Sequence, residues 1–174
     1  MQKNNLKMKQ LITLTFLLLT LTAFAQKPCE YSANVTDSLG TYKVTNDYMI
    51  SEKYFGGTFD YVFFALAQTD GLPTLNLQLI QKSKDFIKAN CFDKNSKVFL
   101  QLENGKIVTL IHIDKESCGT LIHDEKGFDN RINTGIFMFM KEGFEELKKI
   151  PCFNYAYKIS DQYRRLHCKK RINL

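Results

Sequence analysis

From residue 41 onward the chain is written mostly in the two-residue period of half-buried strands. Thr41 to Phe55 is rich in β-branched and aromatic residues, and Asp60 to Gln68 is a nearly continuous apolar run of the kind a buried strand carries. Asp70-Gly71 with Pro73 marks a turn. Leu75, Leu77 and Leu79 then alternate with Asn76 and Gln78, which predicts a half-buried strand hairpinned to the run before it. Gly56-Gly57 reads as a bend or bulge. Ser83 is placed to cap a short helix running to Asn90, with Phe86 and Ile87 turned inward.

The clearest element is a hairpin from Lys97 to Ile113, because Asn104-Gly105 separates two β-rich runs and both residues tolerate the positive φ of a type I′ turn. With those two residues as the loop, Glu103 faces Lys106, Leu102 faces Ile107, Leu100 faces Thr109 and Val98 faces Ile111. Alternation then predicts a core face of Val98, Leu100, Leu102, Ile107, Ile111 and Ile113, and a mixed opposite face carrying Phe99, Gln101, Val108, Leu110, His112 and Asp114.

Cys118 to Arg131 is polar and turn-rich, and is expected to be a mobile loop. Ile132 to Met140 returns to strand character. Lys141 to Ile150 reads as a helix: Phe144, Leu147 and Ile150 recur at helical spacing, glutamates precede lysines as the helix dipole favours, and Pro151 ends it. Phe153 to Ile159 alternates as a final strand, and a basic tail, Arg164 to Arg171, follows as a solvated segment. The expected fold class is α+β, a mainly antiparallel sheet with one or two short helices; strands joined by short turns leave no room for repeated βαβ crossovers. Tyr61-Val62-Phe63-Phe64 and Phe137-Met138-Phe139-Met140 are expected to lie in central strands buried on both faces, with a groove for a hydrophobic or sugar ligand as the other reading.

The first 25 residues change the picture of compartment. Lys3, Lys7 and Lys9 precede the apolar run Leu11 to Leu21, and Ala23-Phe24-Ala25 is a small-x-small cleavage site. That apolar run is short against the about 20 residues a membrane span needs, and no second one follows. The chain therefore divides into a signal peptide, 1–25, and a single exported domain, 26–174, secreted or periplasmic and with no transmembrane anchor in the mature part. Cys29 is too far from the cleavage point to be a lipid-modified first residue.

The formal charge of +6 falls to +3 once the three leader lysines are removed, which is too ordinary to imply a nucleic-acid partner. Five cysteines remain (Cys29, Cys91, Cys118, Cys152 and Cys168), and in an oxidising compartment the default is two disulfides and one free thiol, with the pairing left open. A Cys152–Cys168 link would tie the last strand to the tail and contribute about 3 kcal/mol in the chain-entropy model.

The unit Lys97 to Ser160 combines Phe-Leu-Gln-Leu-Glu-Asn-Gly-Lys-Ile-Val-Thr-Leu, a polar loop, a strand, and a Glu-rich helix ending in Leu-Lys-Lys-Ile-Pro before a further strand. It resembles small exported proteins of Bacteroidetes-type bacteria of unassigned function. The resemblance covers under half the chain; it implies an envelope or secreted location and transfers no catalytic residue.

The densest candidate chemistry surrounds the second strand of the predicted hairpin. His112, Cys118 and His123 offer imidazole and thiolate ligands for zinc, although their spacing matches no standard pattern. Cys118 with His112 or His123 also offers a nucleophile and base, oriented by Asp114 or Asp124, provided that Cys118 is free of a disulfide. The bland reading makes His112 a half-exposed strand residue and places His123 on a solvated loop. No Gly-x-Ser-x-Gly, His-Glu-x-x-His or phosphate-binding glycine loop occurs. The expectation is an exported, non-catalytic domain without a cofactor that binds an unknown protein or small ligand. The alternative is a small Cys/His- or zinc-dependent hydrolase using His112, Asp114, Cys118 and His123.

Overall fold

The computed structural model describes residues 30–38, 40–140, 143–149, 152–159 and 162–167. The predicted signal peptide and the cysteines at 29 and 168 lie outside them, as does any Cys152–Cys168 link. The described chain forms eleven strands and one short helix, so the fold is β-rich and the helical part of the expected α+β class shrinks to a single seven-residue element.

Three long strands make the spine: β4 (Thr58–Thr69), β5 (Leu72–Ser83) and β9 (Asp129–Phe139) pair antiparallel along nearly their whole lengths. Each flank of this spine carries a broken strand. Along β4 run β2 (Gly40–Thr45) and β3 (Tyr48–Phe55), so the single run expected over Thr41–Phe55 is interrupted at Asn46-Asp47, where Thr45 Oγ1 accepts the Leu66 N–H. Along β9 run β7 (Ile107–His112) and β8 (Thr120–His123). β1 (Tyr31–Asp37) extends the sheet beyond β2. On the other side β6 (Lys97–Leu102), β10 (Cys152–Ile159) and β11 (Gln162–His167) extend it beyond β7. Arg164 and Arg165 thus belong to a strand, and the rest of the expected basic tail, 168–171, lies outside the described residues.

Two tight turns follow from glycine. Gly56-Gly57 and Asp70-Gly71 each put two consecutive residues at positive φ, the requirement of a two-residue hairpin loop, and join β3 to β4 and β4 to β5. Gly56-Gly57 is therefore a hairpin turn and not a bulge.

The β6–β7 hairpin departs from its predicted register by one residue. Gly105 N–H donates to Leu102 O and Leu102 N–H to Lys106 O, so the loop holds three residues, Glu103 to Gly105, and only Gly105 has positive φ. The pairs become Leu100↔Val108 and Val98↔Leu110. A slip of one residue exchanges faces: Val108, Leu110 and His112 turn into the core, while Ile107 is 63% and Ile113 48% exposed and Ile111 is only half-buried.

One buried cluster lies on the concave face of the sheet, from Val62 and Phe64 through Leu75, Leu77 and Leu79 to Phe137, Phe139, Leu110 and Leu100. The helix α1 (Gly143–Lys149) closes one side of it: Leu147 is buried and the Phe144 ring sits 5.2 Å from that of Phe139. Tyr157 of β10 lines the same small cavity as Val62 and Leu79, so the sheet curls towards itself. The aromatic runs are buried on one face only. Phe64, Phe137 and Phe139 are interior, Tyr61, Phe63 and Met138 are half-buried on the outer face, and Met140 is exposed.

Two further expectations are corrected. Residues 84–90 form no helix, and Phe86 stands 82% exposed while Ile87 is buried. Ser83 Oγ does accept the Asp85 N–H, as a cap would, but the carbonyls of Ile87 and Asn90 are taken by side chains of β9, which holds the backbone extended. The segment 118–131 is not a loose loop. Its first part is β8, and the turn to β9 is organised by Asp124, whose carboxylate accepts from the Lys126 and Phe128 N–H groups and from Lys82 Nζ at 2.6 Å. Among the described residues no helix is long and apolar enough to cross a membrane.

Candidate functional site

The strand order β5-β9-β7-β6 obliges the chain to travel. After β5 it must pass β9 and β7 to reach β6, and it does so across the concave face as segment 84–96; it returns along 113–119 to begin β8. These two irregular limbs form a strap over the interior. Phe92 and Ser117 exchange both backbone hydrogen bonds (2.8 and 3.0 Å), and the adjacent Cys91 and Cys118 are joined as a disulfide. The pairing that the sequence left open is thereby set for this couple by the meeting of the two limbs.

β9 seats the strap with one column of alternating side chains. Arg131 Nε donates to Ile87 O and an η nitrogen to Cys118 O, both at 3.3 Å. Asn133, buried, donates to Asn90 O at 2.6 Å and accepts from Ser117 Oγ at 3.2 Å. Next comes Gly135, where a side chain has no room: an added Cβ would lie 2.9 Å from Phe92, 3.0 Å from Phe137 and 3.2 Å from His112. Above that glycine three rings gather, Phe92 edge-on to Phe137 and His112 5.2 Å from Phe137 and 5.9 Å from Phe92. Gly119 makes the matching close approach in the second limb, at positive φ, where a Cβ would meet Ile132 O at 2.6 Å.

His112 is 7% exposed, and both of its ring nitrogens are buried without a hydrogen-bond partner. Such a group forfeits its hydration for no return, a cost of roughly 1–3 kcal/mol. The histidine expected on a half-exposed face is therefore an interior ring whose polarity the fold tolerates.

Beside the strap, Asp60, Gln81 and Arg131 stand in one row across β4, β5 and β9, and Gln81 Nε2 donates to Asp60 Oδ1 at 2.8 Å. They line a cavity with Asn90, Asn133 and Tyr157. Its volume is about 20 Å³, where roughly 10–15 Å³ admits one water. With the strap seated there is room for a water and not for an organic ligand.

The four residues singled out from the sequence are not assembled, and none hydrogen-bonds to another of the four. Cys118 is a disulfide sulfur, so it is neither a thiolate nucleophile nor a thiolate ligand. His112 is enclosed by rings. Asp114 is exposed and accepts the neighbouring Lys115 N–H. His123 projects from β8 on the surface and contacts the Asp129 carboxylate opposite it. Asp124 serves its own turn: the Lys82 ammonium, followed by the Phe128 N–H, holds its carboxyl far below the usual carboxylate range. Among the described residues the one group of three metal-capable side chains is Cys91, Glu116 and Cys118, and the disulfide removes both sulfurs from it. Sequence reasoning passed over Arg131 and Asn133, whose positions two apart on a strand were the available signal.

The exposed apolar surface concentrates elsewhere. At the β3–β4 turn Tyr54 is 62% and Phe55 76% exposed, with Lys53 Nζ 5.7 Å from the Phe55 ring. Tyr54, Phe59 and Tyr61 continue as a row of rings, 4.5 and 6.3 Å between centroids. Phe86 emerges at the same end, just past Ser83, whose hydroxyl donates to Gly57 O at 3.4 Å.

Comparison of the chain with protein-family models, with curated proteins and with solved structures finds no match in any of the three.

Proposed function

We propose that this chain is an exported β-rich domain that binds a partner, a protein or a small ligand, outside the cytoplasm and performs no chemistry on it. The observation that carries this reading is where the reactive side chains went. Cys118 is crosslinked, His112 sits in an aromatic enclosure and Asp124 builds a turn, while Asp114 and His123 stand on the surface, so the candidates for catalysis share no site. The hydrolase alternative has no comparable geometry behind it. Support for export comes from the leader and from a disulfide of the kind that persists in oxidising compartments. The resemblance to exported Bacteroidetes-type proteins belongs to the same reading. Support for binding comes from the aromatic rings exposed on β3 and at its turn, since contiguous exposed apolar surface marks interaction sites.

The test is expression of the full chain with its leader, followed by fractionation and thiol alkylation without reductant. The expected result is protein in the periplasmic or extracellular fraction in which Cys91 and Cys118 resist alkylation. Recovery from the cytoplasm with both thiols alkylated overturns export, and a hydrolytic turnover that His112→Ala abolishes overturns the binding reading.

A further inference from the structure

The strap crosses the concave face for a topological reason, but the way it is fastened goes beyond topology. Its limbs have no regular structure of their own, apart from the two backbone bonds between Phe92 and Ser117. Their attachments to the sheet are the buried Phe92 and Ile87 side chains, the side chains of Arg131 and Asn133, and one backbone bond at an end of each limb, His112 N–H to Ser96 O and Ile113 N–H to Ile136 O; one covalent bond joins the limbs to each other. That bond is at the surface: Cys118 is exposed and Cys91 half-buried. Beneath the strap lie groups unusual for a β-sheet interior, namely a guanidinium, a carboxamide and an imidazole on one face of β9 and β7. Arg131 and Asn133 take carbonyls of the strap as acceptors, and His112 has no acceptor at all.

We propose that Cys91–Cys118 is a redox latch, and that its reduction releases the strap from the concave face while the sheet stays folded. The reductant is a dithiol. One of its thiolates attacks Sγ of Cys118, the more exposed of the two residues, forming a mixed disulfide and expelling the Cys91 thiolate, which takes up a proton. The second reductant thiol then attacks the mixed disulfide, leaving Cys91 and Cys118 as thiols and the reductant as a disulfide. Exposed disulfides are the ones open to this exchange, in contrast to those sealed in a core. Once unlatched, the strap opens as a local unit between its anchored ends, because there it forms no ladder with the sheet: its hydrogen bonds run to the side chains of Arg131 and Asn133, and its buried apolar side chains are Phe92 and Ile87. The opened face presents Arg131, Asn133 and His112 beside the Asp60–Gln81 pair. This inference does not rest on the binding reading, and it is tested on purified protein irrespective of compartment.

The experiment is amide hydrogen exchange on the full mature chain, oxidised and after treatment with dithiothreitol, with the Cys91→Ser/Cys118→Ser double variant as a second route to the unlatched state. The reporters are the Phe92 and Ser117 amides in the strap, set against Leu77 and Leu110 in the sheet. The expected result is that in both unlatched forms the strap amides exchange about tenfold or more faster than in the oxidised protein and at an opening free energy well below that of the sheet amides, which follow the global stability of the same form. Unchanged strap exchange overturns the proposal, because Phe92, Arg131 and Asn133 would then hold the strap unaided. Strap and sheet amides sharing one opening free energy in the unlatched forms also overturns it, since the strap would then leave only when the whole domain unfolds. A disulfide that survives dithiothreitol under native conditions overturns it as well.

Discussion

The β4–β5 and β6–β7 hairpins each turn on a polar residue followed by glycine, Asp70-Gly71 and Asn104-Gly105, and they turn differently. In β4–β5 both turn residues adopt positive φ and Thr69 pairs directly with Leu72, whereas in β6–β7 the glycine alone does so and Glu103 joins the loop. Local sequence allows either outcome; what differs is the surroundings of each turn. Asp70 is fixed from outside the hairpin, since its backbone N–H donates to Thr41 O and its carboxylate accepts the Thr41 N–H at 2.8 Å. Asn104 turns back on its own chain and accepts the Lys106 N–H, while Lys106 reaches Glu146 on α1. At the open end of β6–β7, His112 N–H bonds Ser96 O and the Cys91–Cys118 bond closes the neck. A hairpin held at both ends has its register chosen by those ends, and here they choose the one that buries His112 and leaves Ile107 and Ile113 outside.

The strongest way to break this contrast is to open the neck. The disulfide closes a sequence separation of 27 residues, for which the chain-entropy model gives about 3–4 kcal/mol. Cys91→Ser/Cys118→Ser is expected to lose about that much in urea denaturation, leaving a folded domain if the starting stability is the usual roughly 5–15 kcal/mol. A loss below about 1 kcal/mol would mean that the strap contacts, rather than the crosslink, hold the neck.

The next effect lies at the other turn. Asp70→Ala keeps a β-carbon at positive φ without the short polar side chain that lets Asp adopt that conformation, and removes the acceptor for Thr41, a combined loss of about 1–3 kcal/mol. Asp70→Gly removes the carboxylate and with it the β-carbon that is disfavoured at positive φ, so it should cost under about 1 kcal/mol. Equal losses in the two variants would show that the anchor to β2, and not the backbone conformation, defines this turn.

A smaller effect of opposite sign is expected at His112. His112→Leu removes two unpartnered buried nitrogens from between Phe92 and Phe137 and should leave stability unchanged or raise it by up to about 1 kcal/mol. Thermal denaturation reads this directly, and a clear loss would mean that the ring makes an interaction an alkyl group cannot replace.

The smallest concerns the neighbouring β8–β9 turn. Asp124 has its carboxyl held below the ordinary value by Lys82. A carboxyl lowered in the folded state stabilises above its unfolded pKa, and that contribution is lost as pH falls through the ordinary carboxylate range and below it. Lys82→Met removes the first cause, so the fall in denaturation midpoint between about pH 5 and pH 2 should be shallower in the variant. Parallel pH profiles for the two proteins would assign the acid limb to other carboxylates.

Much of this fold was legible in the chain by itself. The long strands β4, β5 and β9, the helix over Phe144 and Leu147 and the turn at Asp70-Gly71 follow from period and from backbone freedom, which are local properties. The expected leader rests on equally local properties, composition and length. What the sequence could not decide were the matters settled by distant partners. The face that β7 buries depends on the neck of its hairpin. The shape of residues 84–90 depends on Arg131 and Asn133 claiming the carbonyls that a helix would have used. Whether Cys118 is a reactive thiol depends on Cys91 arriving beside it, which happens because the strand order sends both limbs of the strap across one face. Candidate catalytic residues were chosen for their chemical type, and type is local; a site needs convergence, which is a property of topology, and in this molecule the topology sends Cys118 into the crosslink and His112 among rings while Asp114 and His123 stay on the surface.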